Sequence, residues 1–118
     1  MQSDEFRERT MVFALRVLEV VDALPNTTKG RNIANQICRS GTSVAANYRA
    51  ACRAKSRADF IHKLGIVEEE ADESIFWLEF IVRAKILPEA RLAPLIAEAN
   101  EILALIVASI TTAKRNRP

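Results

Sequence analysis

The segment QICRSGTSVAANY, residues 36–48, decides the fold class because its apolar residues recur at helical spacing. Ile37, Val44 and Tyr48 share one side of a helix, since each residue turns the chain by about 100°. Period-two alternation is not sustained here or elsewhere, so the pattern excludes a strand. The segment therefore predicts a long amphipathic helix whose apolar stripe comprises Ile33, Ile37, Ser40, Val44, Tyr48 and Ala51.

Three breaks divide the rest of the chain into four helical segments. Pro25 ends the first helix, because proline disfavours helix at the residue before it. Ser56 and Asp59 have the spacing of a capping box, which starts a helix. Pro88 marks the third break, and Pro94 predicts an irregular start to the last helix. We expect helices at residues 5–24, 28–54, 57–85 and 89–113.

The other three segments carry similar apolar stripes. Four amphipathic helices with short connections bury their stripes most simply in an antiparallel, up-down bundle. We therefore predict an all-α protein, a four-helix bundle forming a single domain over residues 1–118. The predicted stripes are Phe6, Thr10, Phe13, Val17, Val21 and Leu24 in the first helix; Phe60, Leu64, Val67, Ala71, Ile75, Leu78 and Val82 in the third; and Leu92, Ile96, Ala99, Leu103, Ile106 and Ile110 in the fourth.

Composition points to an intracellular protein. Cys38 and Cys52 lie about 21 Å apart along one helix, which is too far for a disulfide, and free thiols fit a reducing compartment. The N-terminal residues lack the basic and apolar regions of a secretory signal. No uninterrupted apolar run approaches the roughly eighteen residues of a membrane span. We expect a cytoplasmic protein with no membrane partner.

Charge is segregated along the chain although the net charge is only +2. Residues 23–58 contain seven basic side chains and no acidic one, whereas residues 65–82 contain six acidic side chains and no basic one. The second helix is therefore basic and the third is acidic.

The basic side chains of the second helix cluster opposite its apolar stripe. A line of exposed arginines can follow a phosphate backbone, each contact releasing counterions. The alternative is that these arginines pair with the acidic helix of the same or a neighbouring subunit. The candidate nucleic-acid-binding residues are Arg31, Arg39, Arg49, Arg53 and Arg57.

A second apolar face is predicted on the third helix. Ile66, Phe76, Trp77 and Phe80 fall opposite the main stripe, and aromatic residues are enriched at protein contacts. We interpret these four residues as a candidate oligomer interface; the alternative is a wider stripe buried in the same core. Other apolar residues outside their main stripes are Met11, Leu15, Leu18 and Leu105.

Polar residues flank the core stripe of the second helix. Buried amides and hydroxyls must find partners, and such hydrogen bonds fix helix register. A structural polar layer is preferred here over a ligand site. Its predicted members are Gln36, Ser40, Ser43 and Asn47.

The sequence offers little material for catalysis or metal binding. His62 is the only histidine, and the Asp59-x-x-His62 element has no second copy to complete a di-iron site. The acidic residues of the third helix fan around it, and the three glycines are isolated. We expect no catalytic residue, no metal and no cofactor.

Residues 36–48, followed by KSRADF at residues 55–60, resemble the signature of the bacterial four-helix bundle proteins. That family includes proteins encoded in intervening sequences of large-subunit ribosomal RNA genes. It is also related to the accessory variability determinant of diversity-generating retroelements. Many relatives carry an acidic residue and a glycine where this chain has Arg49, Ala50 and Ala51, a difference that favours an unbroken, more basic helix.

The resemblance implies a ring of subunits, with five as the form associated with the family, and a basic ring surface linked to nucleic-acid binding in the retroelement branch. The leading hypothesis is a non-enzymatic homo-oligomer that binds RNA or DNA through the second helix. The alternative is a structural adaptor that contacts another protein and has no nucleic-acid role.

Overall fold

The computed structural model describes residues 3–116, and it contains four helices and no strand within that range. They are α1 (Ser3–Ala23), α2 (Thr28–Cys52), α3 (Arg57–Arg83) and α4 (Glu89–Arg115). The all-α prediction is confirmed.

Consecutive helices pack side by side in an elongated body of 52 × 22 × 20 Å. Short connections bring each helix back along its predecessor, so the bundle has the predicted up-down, antiparallel topology. Helices α1 and α4 contact each other much less than the three consecutive pairs do. Arg9 bridges this open seam with a two-pronged hydrogen bond to Glu98 (2.7 and 2.8 Å) and an ion pair with Glu101 (2.9 Å).

The core follows the predicted stripes in α2 and departs from them in α4. Every stripe residue of α2 is buried. In α4, Leu95 and Ile102 are buried, whereas the predicted Ile96 and Leu103 are half-buried. The core face of α4 is thus rotated toward the preceding residue at both positions, because a helix that is apolar on several sides does not define one face by periodicity.

Helix α4 is long and apolar enough to cross a bilayer by length and composition alone. Its most apolar 18-residue window has a mean hydropathy of 1.6, and 22% of that window is buried in the bundle. The sequence-based expectation considered only uninterrupted apolar runs, and it missed this helix, whose apolar window contains two charged residues. The two charged residues in this window are Glu98 and Glu101, and both form ion pairs with Arg9 on α1.

Side chains define where α2 and α3 begin. Thr27 Oγ1 accepts a hydrogen bond from the Gly30 amide (3.1 Å), and Ser56 Oγ accepts one from the Asp59 amide (3.0 Å). Asp59 accepts in turn from the Lys55 amide (3.2 Å), one residue before the position that a capping box uses.

Pro94 does not disturb the start of α4, contrary to expectation. The helix runs unbroken from Glu89 with Pro94 inside its second turn. Proline removes one hydrogen bond there, the one to the Ala90 carbonyl, and both residues lie on the exposed side. Water can therefore solvate the Ala90 carbonyl.

Gly41 permits the close approach of α1 and α2. A Cβ atom at position 41 would lie 2.8 and 2.9 Å from the two methyl groups of Val17, which is fully buried. Valine is β-branched and stiff, so its side chain cannot turn away from this contact. Only glycine lets the two helices meet at this distance.

We predict that Gly41→Ala lowers the free energy of unfolding by about 1–3 kcal/mol, because the added methyl forces α1 and α2 apart. The matched control is Gly65→Ala in the middle of α3, where no atom would lie within 4 Å of the new Cβ. That change should raise stability by about 0.5–1 kcal/mol through helix propensity. Urea denaturation followed by circular dichroism measures both, and equal effects would contradict the close-approach argument.

Candidate association surfaces

Arg39 is neutralised within its own subunit. Its guanidinium forms ion pairs with Glu70 (2.7 Å) and Glu73 on the neighbouring α3. The hydrogen bonds that Arg39 donates to Glu70 and to Glu73 raise the pKa of Arg39 above its ordinary value, the bond to Glu70 having the larger effect. The acidic helix therefore occupies this arginine, as the alternative interpretation of the basic cluster requires.

Arg31 and Arg57 lie at separate ends of helices and bind neutral acceptors. Arg31 donates to the Asn26 side chain (2.9 Å) at the start of α2. Arg57 donates to the Ala113 carbonyl (3.2 Å) in the last turn of α4, where a cation also meets the negative end of the helix dipole. The five arginines therefore do not form one continuous line.

Arg49 and Arg53 remain exposed and have no ion-pair partner among residues 3–116. They line an open groove of about 700 Å³ between α1 and α2. Three apolar side chains of α1 also line it and are exposed to 44% (Met11), 54% (Leu15) and 37% (Leu18). We call this surface the α1–α2 groove: Met11, Leu15, Leu18, Ala46, Arg49 and Arg53.

Three aromatic rings form a cluster on α3, which we call the aromatic patch: Phe76, Trp77 and Phe80. Their ring centroids lie 4.9 to 5.9 Å apart, within the range of favourable aromatic pairs. Phe76 is 53% exposed and Phe80 is 44% exposed, whereas Trp77 packs partly against the core. Of the other apolar residues predicted outside the main stripes, Ile66 and Leu105 are half-buried.

Acidic side chains surround the two exposed rings. Glu69, Asp72 and Glu79 lie on the outer side of α3 within one or two turns of Phe76. All three are exposed, and none forms an ion pair within the part of the chain that the structure describes. Arg83 is the one exposed base on this side within two turns of Phe76, so the border of the aromatic patch has an excess of negative charge.

Comparison with known proteins assigns the chain to a family. The model of the 23S rRNA-intervening sequence protein family matches residues 3–108. The chain belongs to this family. A crystal structure of a protein of unknown function from the S23 ribosomal protein family, from Bacteroides thetaiotaomicron VPI-5482, is 35% identical. The two superpose with a TM-score of 0.87 over 94% of this chain and 99% of the other. No curated protein matches.

The two matches name no enzymatic activity. Residues 3–116 contain no group of three or more histidine, cysteine or acidic side chains that could hold a metal ion. A cavity of about 760 Å³ lies between the end of α4 and the corner that joins α2 to α3, and it is lined by Tyr48, Arg57, Phe60 and Leu105 among others. Burial raises the pKa of the Tyr48 phenol, and the neighbouring Cys52 side chain raises it further. No carboxylate lines this cavity.

The polar contact between α2 and α3 joins two serine hydroxyls. Ser40 and Ser74 are fully buried and share a hydrogen bond of 3.0 Å, and Ser74 Oγ also lies 2.9 Å from the Glu70 carbonyl. Asn47 is half-buried and donates to the Ser43 carbonyl of its own helix (2.9 Å). Gln36 and Ser43 are half-buried as well. Of the four predicted polar residues, Ser40 makes the contact between helices.

Ser74 was missed by sequence reasoning although a signal for it existed. It lies three residues after Ala71 and four before Leu78, so it belongs to the buried stripe of α3. A serine does not contribute to an apolar pattern, so the spacing of apolar residues alone does not mark this position as buried.

We predict that Ser74→Ala lowers the free energy of unfolding by about 1 kcal/mol, because it removes the hydroxyl that joins α2 to α3. Thr111→Ala is the matched control, since the Thr111 hydroxyl is exposed and donates to the Val107 carbonyl of its own helix. The control should change stability by less than about 0.5 kcal/mol. Thermal and urea unfolding compare the two, and an unaffected Ser74→Ala protein would contradict the role of this contact.

Proposed function

We propose that this protein works by association, as a non-enzymatic homo-oligomer in the cytoplasm. The observation that carries the proposal is the exposure of two apolar surfaces, the α1–α2 groove and the aromatic patch. An isolated bundle would leave these side chains in water, whereas subunit contacts would bury them. The half-buried free thiols of Cys38 and Cys52 support the reducing compartment.

The family resemblance supports a ring as the form of the oligomer, with five subunits as the associated number. A stable interface buries roughly 800 Å² on each partner, more than one exposed ring supplies. Two separate apolar surfaces on one bundle suit an assembly in which each subunit contacts two neighbours. In this proposal the protein acts by assembling into an oligomer and not by catalysing a reaction.

RNA or DNA binding is a second candidate function, and one observation favours it. Arg49 and Arg53 lie one turn apart on the exposed side of α2 and have no acidic partner within residues 3–116. Repetition around a ring would multiply this pair into a band of positive charge with useful avidity. The family description names an intervening sequence of 23S rRNA, so RNA is the first nucleic acid to test. A protein-contacting adaptor is the alternative if no nucleic acid binds.

For self-association we predict one discrete oligomer at micromolar concentration in light scattering coupled to gel filtration. Replacing Phe76 and Phe80 with alanine should lower the measured mass, because the contact between subunits would lose the apolar area that the two rings bury. Val12→Ala, which truncates an exposed side chain of α1 that does not line the α1–α2 groove, should leave the mass unchanged. A monomeric unmodified protein would refute the proposal.

For nucleic-acid binding we predict affinity that depends weakly on sequence and falls steeply with added salt, as phosphate contacts require. Fluorescence anisotropy with single- and double-stranded RNA and DNA at low salt measures it. Replacing Arg39 with glutamine should change binding little, because Glu70 and Glu73 already neutralise Arg39, whereas replacing Arg49 and Arg53 with glutamine should abolish it. Equal loss in both variants, or no binding by the unmodified protein, would count against this function.

A further inference from the structure

The two exposed apolar surfaces of this bundle carry opposite charge. In the α1–α2 groove, α2 contributes Arg49 and Arg53 beside an apolar floor. On the α1 side, Asp4 is already paired with Arg7 (2.6 Å), and Glu8 is the remaining acid. Around the aromatic patch, the acids Glu69, Asp72 and Glu79 outnumber the one exposed base, Arg83, within two turns of Phe76 on the outer side of α3. The groove therefore has an excess of positive charge and the aromatic patch an excess of negative charge.

The dimensions of the two surfaces also agree. The exposed apolar floor from Met11 to Leu18 extends about 10 Å along α1, at about 1.5 Å per residue. Phe76 and Phe80 lie on successive turns of α3, and Asp72 and Glu79 lie one turn to either side of Phe76. A helix laid along the groove could thus insert its rings between α1 and α2 and bring its carboxylates to the arginines. This is the helix-in-groove mode of recognition.

A second copy of the chain satisfies the groove better than a nucleic acid does. A phosphate backbone would neutralise Arg49 and Arg53 but would leave Met11, Leu15 and Leu18 in water. The α3 surface of another copy supplies both apolar rings and carboxylates. It also covers Phe76 and Phe80, which have no partner surface within their own subunit.

We infer that the aromatic patch of one copy, with Asp72 and Glu79, docks into the α1–α2 groove of the next copy against Arg49 and Arg53. This inference rests on the proposed function of self-association and adds the partner surface and the direction of the contact. The contact joins two different surfaces of the bundle, so each copy can present its aromatic patch to one neighbour and its groove to another. Such a heterologous contact closes into a ring when the rotation between copies allows it. In a ring built on this contact, Arg49 and Arg53 face the carboxylates of the next copy and are not displayed to nucleic acid, so the contact favours self-association over the second candidate function.

Charge exchange between the two surfaces tests the contact. One variant carries Arg49→Glu and Arg53→Glu, and the other carries Asp72→Lys and Glu79→Lys; all four side chains are exposed. Each variant alone should associate roughly tenfold or more weakly in analytical ultracentrifugation, because like charges meet at the contact. An equimolar mixture should recover association, because each variant then meets a complementary surface on the other. Circular dichroism checks that both variants remain helical.

A matched control for the arginine variant carries Lys114→Glu and Arg115→Glu. These substitutions make the same change in net charge as Arg49→Glu with Arg53→Glu, but at the exposed end of α4. It should keep the mass of the unmodified protein. Strict alternation of the two variants suits an even number of subunits, so the readout of the mixture is recovered mass and not native stoichiometry.

The outcomes separate this contact from the proposed function. Oligomeric masses retained by both charge-exchange variants would overturn the contact while self-association stands. Dissociation of both without recovery on mixing would also overturn it, as would equal dissociation of the control. A monomeric unmodified protein would overturn the proposed function together with the contact.

Discussion

The close approach of α1 and α2 at Gly41 is the constraint on which the surface of this bundle depends. Helix α1 has little contact with α4, so its position is set mainly by packing on α2. At the crossing point, Val17 occupies the space where any other residue at position 41 would place its Cβ atom. That contact determines how near the exposed residues Met11 and Leu15 lie to Arg49, and hence the shape of the α1–α2 groove. A change in the core at this point would therefore alter a surface at which no substitution was made.

Electrostatics divides the charged residues into those used within the subunit and those available to a partner. The open seam between α1 and α4 is bridged by Arg9, whose pairing lowers the pKa of Glu98. Arg39 is similarly held by two carboxylates of α3. Once these pairs are formed, Arg49 and Arg53 lie on one side of the bundle, and the acids around Phe76 lie on the outer side of α3. A small net charge therefore conceals two surfaces of opposite sign, each adjacent to exposed apolar side chains.

The bundle separates a buried apolar core from an outer surface on which side chains are free to differ. Long helices with a continuous core leave their outer sides free to vary, and function is then carried by the surface that each member displays. In this member the buried polar contact between Ser40 and Ser74 lies inside the scaffold and helps to join α2 with α3. A solvated helix surface is usually polar, whereas here the rings of α3 and several apolar side chains of α1 are exposed.

The sequence by itself determined the fold class, the order of the helices and the buried stripe of α2, because apolar spacing and turn residues act locally. It also placed Phe76 and Phe80 opposite the stripe, where they are exposed, whereas Ile66 and Trp77, predicted on the same face, are half-buried. Only the tertiary structure decided the rotation of α4, where Leu95 and Ile102 face the core, because a helix apolar on several sides takes its orientation from its neighbours. The tertiary structure alone also separated Arg39, which is paired with α3, from Arg49 and Arg53, which are not paired within the described part of the chain, because pairing depends on which helix lies alongside. Sequence places charges on a helix, but the distance between two helices decides which of them are neutralised.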